Sequence, residues 1–239
     1  MSVRVAGPDS IQFLQGYLTA DLTRLATEKI LPMAIPNLQG RVVANGWAIG
    51  TASQAVGLAV HPSLAGAVQD HLRKFMAFSK SRVEDCRPHA ISMSKSATGT
   101  VLSPLPCTLE EANEETDPGT KLFRTLCFER SVVLAEAATS ARFLPQMMGL
   151  LQWGAVSFDK GCYLGQEVIA RAQHRGQVKR GLQQYRVVEG LPIPGQVVTT
   201  ESRRSGTVVA TNDLQALVVV SEGPLKLVGD GLVLEATAS

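Results

Sequence analysis

From residue 182 onward the sequence is built of short valine-rich runs, at residues 184–188, 196–200, 206–211, 214–220 and 232–236, separated by Pro, Gly, Asn or Asp. Runs of β-branched residues of this length, punctuated by turn formers, predict strands joined by tight turns and hence a small antiparallel β-domain. No such pattern runs through the earlier sequence, so the chain divides. The polar stretch 173–180 is the expected break, separating residues 1–172 from a C-terminal domain at 173–239.

The first part reads as an α+β layer. Residues 3–5 predict a short strand, after which Gly7-Pro8-Asp9 opens a helix that Gly16 closes. Residues 30–35 and 41–49 are strand-like around the turn signal at 36–40, with a third strand near 55–60. Ser63 is the expected cap of a helix carrying Leu64, Val68, Leu72 and Phe75 at helical spacing, and a strand is expected at 82–86. Together these make a β-β-β-α-β unit over residues 30–86. The stretch 88–121 reads as connection plus a short helix, and its acids, Glu110, Glu111, Glu114, Glu115 and Asp117, as a solvated face. Trp47 and Trp153 sit in apolar stretches and are expected in the core.

Composition narrows the function. The chain has 239 residues, 45% hydrophobic and 18% charged, enough for a sizeable core. A net charge of +2, from 23 basic and 21 acidic residues, gives no global field for nucleic acid or membrane surfaces. Cys86, Cys107, Cys127 and Cys162 form no CxxC pair and have no histidine at zinc-finger spacing, which argues against a structural metal site. No signal-peptide core or membrane-length apolar run is present, so a reducing cytoplasm is the expected compartment.

The chemistry concentrates in FDKGCYLGQEVIAR, residues 158–171. Gly161 and Gly165 bracket Cys162, while Lys160 and Arg171 would lower its thiol pKa if close, making Cys162 a candidate reactive thiol. A small buried cysteine is the alternative. The basic segment that follows, Arg171, His174, Arg175, Lys179, Arg180 and Arg186, contains no acid from 171 to 186. It suits an anionic tail or a plain solvated face. Sparse aromatic interleaving disfavours nucleic acid.

KGCYLGQE, residues 160–167, resembles the signature of the YgfZ family of folate-binding, iron-sulfur cluster assembly proteins. The resemblance extends through Phe143-Leu144-Pro145-Gln146, Gly154-Ala155-Val156-Ser157-Phe158, Phe13-Leu14-Gln15-Gly16 with Thr19-Ala20-Asp21, and Arg204-Ser205-Gly206-Thr207-Val208, and so spans nearly the whole chain. The family is similar in fold to the T-protein of the glycine cleavage system. The implied architecture is α+β: small α+β domains around a folate pocket, with a ferredoxin-like part at about 30–90, and a C-terminal antiparallel β-barrel.

The resemblance implies tetrahydrofolate as cofactor and an iron-sulfur cluster held only transiently. Partners would be folate and iron-sulfur assembly machinery or client enzymes, not a membrane. Glu129 is the carboxylate candidate for the pterin edge and Phe123 the stacking aromatic; the alternative makes Glu129 a partner of Arg124 or Arg130 and Phe123 a core residue. Lys160, Tyr163 and Arg171 complete the cofactor candidates, and Cys162 is the catalytic one. One cysteine cannot supply the four ligands of a cluster, so partners would complete it. The T-protein carries acids after its early turn, whereas Gly40-Arg41-Val42-Val43-Ala44-Asn45 has no carboxylate, losing acid/base help worth roughly a hundredfold. An assembly factor is therefore favoured over a folate-dependent one-carbon transferase. An RNA-modification-related folate protein is a further alternative.

Overall fold

The computed structural model describes residues 1–25, 30–51, 54–84, 90–96, 99–105, 128, 130–176, 178–200, 205–212, 214–221 and 223–237. Chain order begins with β1 (Ser2–Ala6), the short helix α1 (Ser10–Gln15), β2 (Ile30–Pro36), β3 (Val42–Thr51) and β4 (Ala55–Val60). Helix α2 (Ala65–Arg73) and β5 (Arg82–Val83) follow, and the five strands form an antiparallel sheet in the order β2-β3-β4-β1-β5. The N-terminal strand therefore sits between β4 and β5, which the local β-β-β-α-β reading did not anticipate. Every residue of β4, AVGLAV, is buried, as a central strand covered on both faces requires. Val68 and Leu72, one helical turn apart, seat α2 on this core.

Three local expectations are corrected. Ser63 does not cap α2, whose N-cap position is Leu64 without a side-chain cap; the capping contact belongs to the 3-10 turn before it, where the His61 ring nitrogen accepts the Ser63 N–H. Strand β5 stops at Val83, and Cys86 lies outside the described residues. Within 88–121, the stretch expected as connection plus a short helix, β6 (Ala90–Ser96) and β7 (Gly99–Leu105) form a two-stranded hairpin, and 106–121 lie outside the described residues. The hairpin tolerates Pro104 because two-stranded sheets have only edge strands. The acidic run lies outside the described residues.

After α3 (Gln166–His174) come β8 (Arg180–Glu189), β9 (Val197–Thr199), β10 (Ser205–Thr211), β11 (Gln215–Ser221), β12 (Lys226–Gly229) and β13 (Leu232–Ala236). They close into a barrel in the order β10-β11-β8-β13-β12-β9. The unbroken apolar run of β11 has a direct cause. Ala216, Val218 and Val220 point into the barrel with Tyr185, Val208 and Leu234, while Leu217 and Val219 join the core of the N-terminal sheet. The barrel thus shares one wall with that core. Trp47 is buried and stacks on Trp153 at 6.4 Å, as expected of core residues.

Candidate functional site

Two stretches far apart in sequence are knitted together at the site. Thr19 accepts the Ala34 N–H at 2.9 Å and donates its hydroxyl to the Ala155 carbonyl at 2.5 Å, tying α1's exit to β2 and to the irregular 154–158 segment. The Ser157 N–H reaches the Thr19 carbonyl, and the Leu164 N–H the Gly16 carbonyl, both at 2.9 Å. The loop 160–165 is therefore pinned at both ends to the turn that follows α1.

Lys160 supplies the central fastening. Its ammonium is buried and donates to the carbonyls of Gln15, Leu18 and Ala20 at 2.7, 2.8 and 2.8 Å, consuming all three of its protons. Carbonyls at the end of a helix are the unsatisfied acceptors a cation completes. The Tyr163 ring lies 5.1 Å from the same ammonium. Burial lowers Lys160 to about 8, against a partial restoring pull from the Asp21 carboxylate, and raises Tyr163 to about 12. Lys160 is accordingly spent on the scaffold, with no donor left for a thiolate or a ligand.

Gly165 lets the loop enter α3. Its φ is +75°, and a Cβ there would stand 2.3 Å from the Asn37 carbonyl oxygen and 2.9 Å from the Gly40 Cα. The turn at 36–40 and the cysteine loop thus touch backbone to backbone. Gln146 adds a strut, donating its side-chain amide to the Ile169 carbonyl at 2.8 Å.

Against this frame Cys162 is a free, exposed thiol, held out by a loop whose neighbours on both sides are fixed. Arg171 is exposed and pairs with Glu167 at 2.9 Å across one helical turn. The sequence grouped Lys160, Cys162 and Arg171 about one thiol; the structure turns Lys160 inward and engages Arg171 with Glu167. Tyr163 is buried, its hydroxyl without a hydrogen-bond partner among the described residues. Glu129 and Phe123 lie outside the described residues.

Beside the loop is a half-open cleft of about 230 Å³, lined among others by Asp21, Arg24, Leu31, Ser157, Phe158 and Asp159. Hydrogen bonds from Thr23 and Gln15 hold the Asp21 carboxyl below its usual range. An aromatic ring beside two carboxylates suits a flat, guanidine-edged heterocycle, and the volume suits one bicyclic ring system but falls short of whole drug-sized ligands. Asp21, Phe158 and Asp159 were not singled out as ligand contacts from the sequence. The one available signal was that Phe158-Asp159 directly precedes Lys160. Among the described residues no group of three metal-ligating side chains occurs, and no helix is long and apolar enough to cross a membrane.

Asn45 ends the 40–45 stretch, which has no carboxylate. It is fully buried, donating to the Val133 carbonyl and accepting the Ala135 N–H, both at 2.7 Å. Both ends of its amide serve the fold.

No protein-family model matches the chain. It is similar to the tRNA-modifying protein YgfZ of Pectobacterium carotovorum subsp. carotovorum, 28% identical over 256 residues that cover 88% of this chain and 77% of the relative. The protein of the same name from Yersinia pseudotuberculosis is 27% identical over 223 residues, covering 75% of this chain and 66% of the relative. Among solved structures, the glycine cleavage system aminomethyltransferase T from Bartonella henselae superposes with a TM-score of 0.70 over 99% of this chain and 82% of that one, at 14% identity. The fold is that of the T-protein.

Proposed function

We propose that this relative of the YgfZ proteins, built on the T-protein fold, is a tetrahydrofolate-binding accessory protein for the assembly or repair of iron-sulfur clusters, with Cys162 as its working thiol. The observation that carries the reading is the exposure of Cys162 on a loop fastened by Lys160, Leu164 and Gly165. A structural cysteine would be packed, whereas a thiol that meets a partner must be presented. The cluster is cargo in this reading, and partner proteins supply the remaining ligands.

The cleft fits the pterin end of the folate. Asp159 would grip its guanidine-like edge, since Asp21 already accepts from Gln15 and Thr23, with Phe158 against its face, and Glu129 and Phe123 remain contacts the family resemblance suggests. Folate there would lie against the segment 156–159, which runs straight into the cysteine loop. Aminomethyl transfer is disfavoured, because Asn45 offers no proton and its amide is already committed to backbone groups. The relatives' name favours clients that modify tRNA.

The test is complementation. In cells lacking this chain, the Cys162→Ser variant should fail to restore the activity of an iron-sulfur enzyme that the unaltered chain restores, while the purified variant still binds tetrahydrofolate. Full restoration by Cys162→Ser would refute the assignment of the thiol, and catalytic one-carbon turnover by the purified protein would refute the accessory role.

A further inference from the structure

The cleft is too small for a whole folate, and where the rest of the molecule would go is marked by a second depression. On α3, Val168, Arg171, Ala172, Arg175 and Gly176 line an open groove of about 530 Å³. The two cavities are neighbours. Phe158, in the wall of the first, packs edge-on against His174 at 5.7 Å, and His174 lies on α3 between Arg171 and Arg175. One aromatic pair thus separates a cleft suited to a flat heterocycle from a groove with an apolar floor and two guanidinium groups.

Resting on the folate reading above, we infer that the α3 groove is a binding site for the oligo-γ-glutamate tail of folate, so that the chain's preferred ligand is the polyglutamyl form. Charge supports this. No acid occurs from residue 171 to 186, and among the described residues the side chains of Arg175 and Lys179 have no partner. Guanidinium suits carboxylate bidentately. Glu167 is held by Arg171 at 2.9 Å, so Arg175 is the groove's anchor without an acidic partner among the described residues.

Calorimetric titration with monoglutamyl and pentaglutamyl tetrahydrofolate tests the inference, using the full chain, Arg175→Ala and Glu167→Gln. The pentaglutamyl form should bind about tenfold tighter at low salt, as expected of two or three partly exposed ion pairs, with the margin shrinking as salt is raised. Arg175→Ala should cut that margin about two- to threefold, the share of one such ion pair. Glu167→Gln frees Arg171 and should widen it two- to threefold, a change of sign that a purely structural role for this pair does not give. Equal affinity for the two forms in the unaltered chain, or a margin insensitive to both substitutions, would overturn the inference while leaving the folate reading intact. Binding of neither form would overturn both. Displacement of the pentaglutamyl ligand by a short single-stranded oligoribonucleotide would assign the groove to RNA instead.

Discussion

Gly165→Ala should lower the unfolding free energy by about 3 kcal/mol, from about 1 kcal/mol for a side chain forced into left-handed backbone plus 1–3 kcal/mol of steric displacement. The displacement is unavoidable because the added Cβ would meet the Asn37 carbonyl oxygen at 2.3 Å and the Gly40 Cα at 2.9 Å, backbone atoms that cannot rotate aside. In a chain of this size the melting temperature should fall by about 6–12 °C by circular dichroism. Gly161→Ala is the internal comparison. It belongs to the same loop, but a Cβ there meets nothing within 4 Å, and its effect should stay within about 0.5 kcal/mol. Equal effects at the two glycines would mean that the loop does not dock on the 36–40 turn.

The second large effect is expected at Lys160. Lys160→Met keeps the length of the side chain but leaves the carbonyls of Gln15, Leu18 and Ala20 without their shared donor. Three lost charge-assisted hydrogen bonds outweigh the relief of no longer burying an ammonium, and a net loss of about 3 kcal/mol is expected in urea unfolding. The pH dependence gives an independent signature. The folded chain releases this proton near 8 while a free lysine keeps it to 10.5, so between those values the unfolded chain binds more protons. Stability from this group therefore rises with pH across that window and falls as pH drops through about 8. Lys160→Met lacks the dependence, so the stability gap between unaltered chain and variant should widen from pH 7.5 to 9.5. A gap that stays flat would mean that Lys160 is solvated in the folded chain and does not fasten the loop.

Much of the fold was legible wherever a local pattern had a local cause. The valine runs of β8, β10, β11 and β13 predicted strands, and Pro36-Asn37-Leu38-Gln39-Gly40 predicted the turn between β2 and β3. Strand β12 escaped because Lys226–Gly229 is four residues long and flanked by turn formers. The β6-β7 hairpin escaped because its serines and Pro104 read as breakers. At the site, Cys162 is exposed and not the buried cysteine of the alternative reading, but the direction of Lys160 did not follow from sequence. Its acceptors are backbone carbonyls 140 to 145 positions away, and a carbonyl leaves no signature in residue identity. The cleft escaped for the same reason, since Asp21 meets Phe158 and Asp159 only through the Thr19 contacts that bring α1's exit to the 154–158 segment.

The central claim is that the cleft beside the cysteine loop receives folate. Calorimetric titration of the purified chain with tetrahydrofolate, beside Asp159→Asn and Glu129→Ala, tests it most directly. Saturable binding that weakens at least tenfold in Asp159→Asn, the loss expected when a carboxylate gripping a guanidine-like edge becomes an amide, is the predicted result. Binding unchanged in Asp159→Asn but abolished in Glu129→Ala would contradict the placement of the pterin in this cleft. No binding at all would contradict the account as a whole.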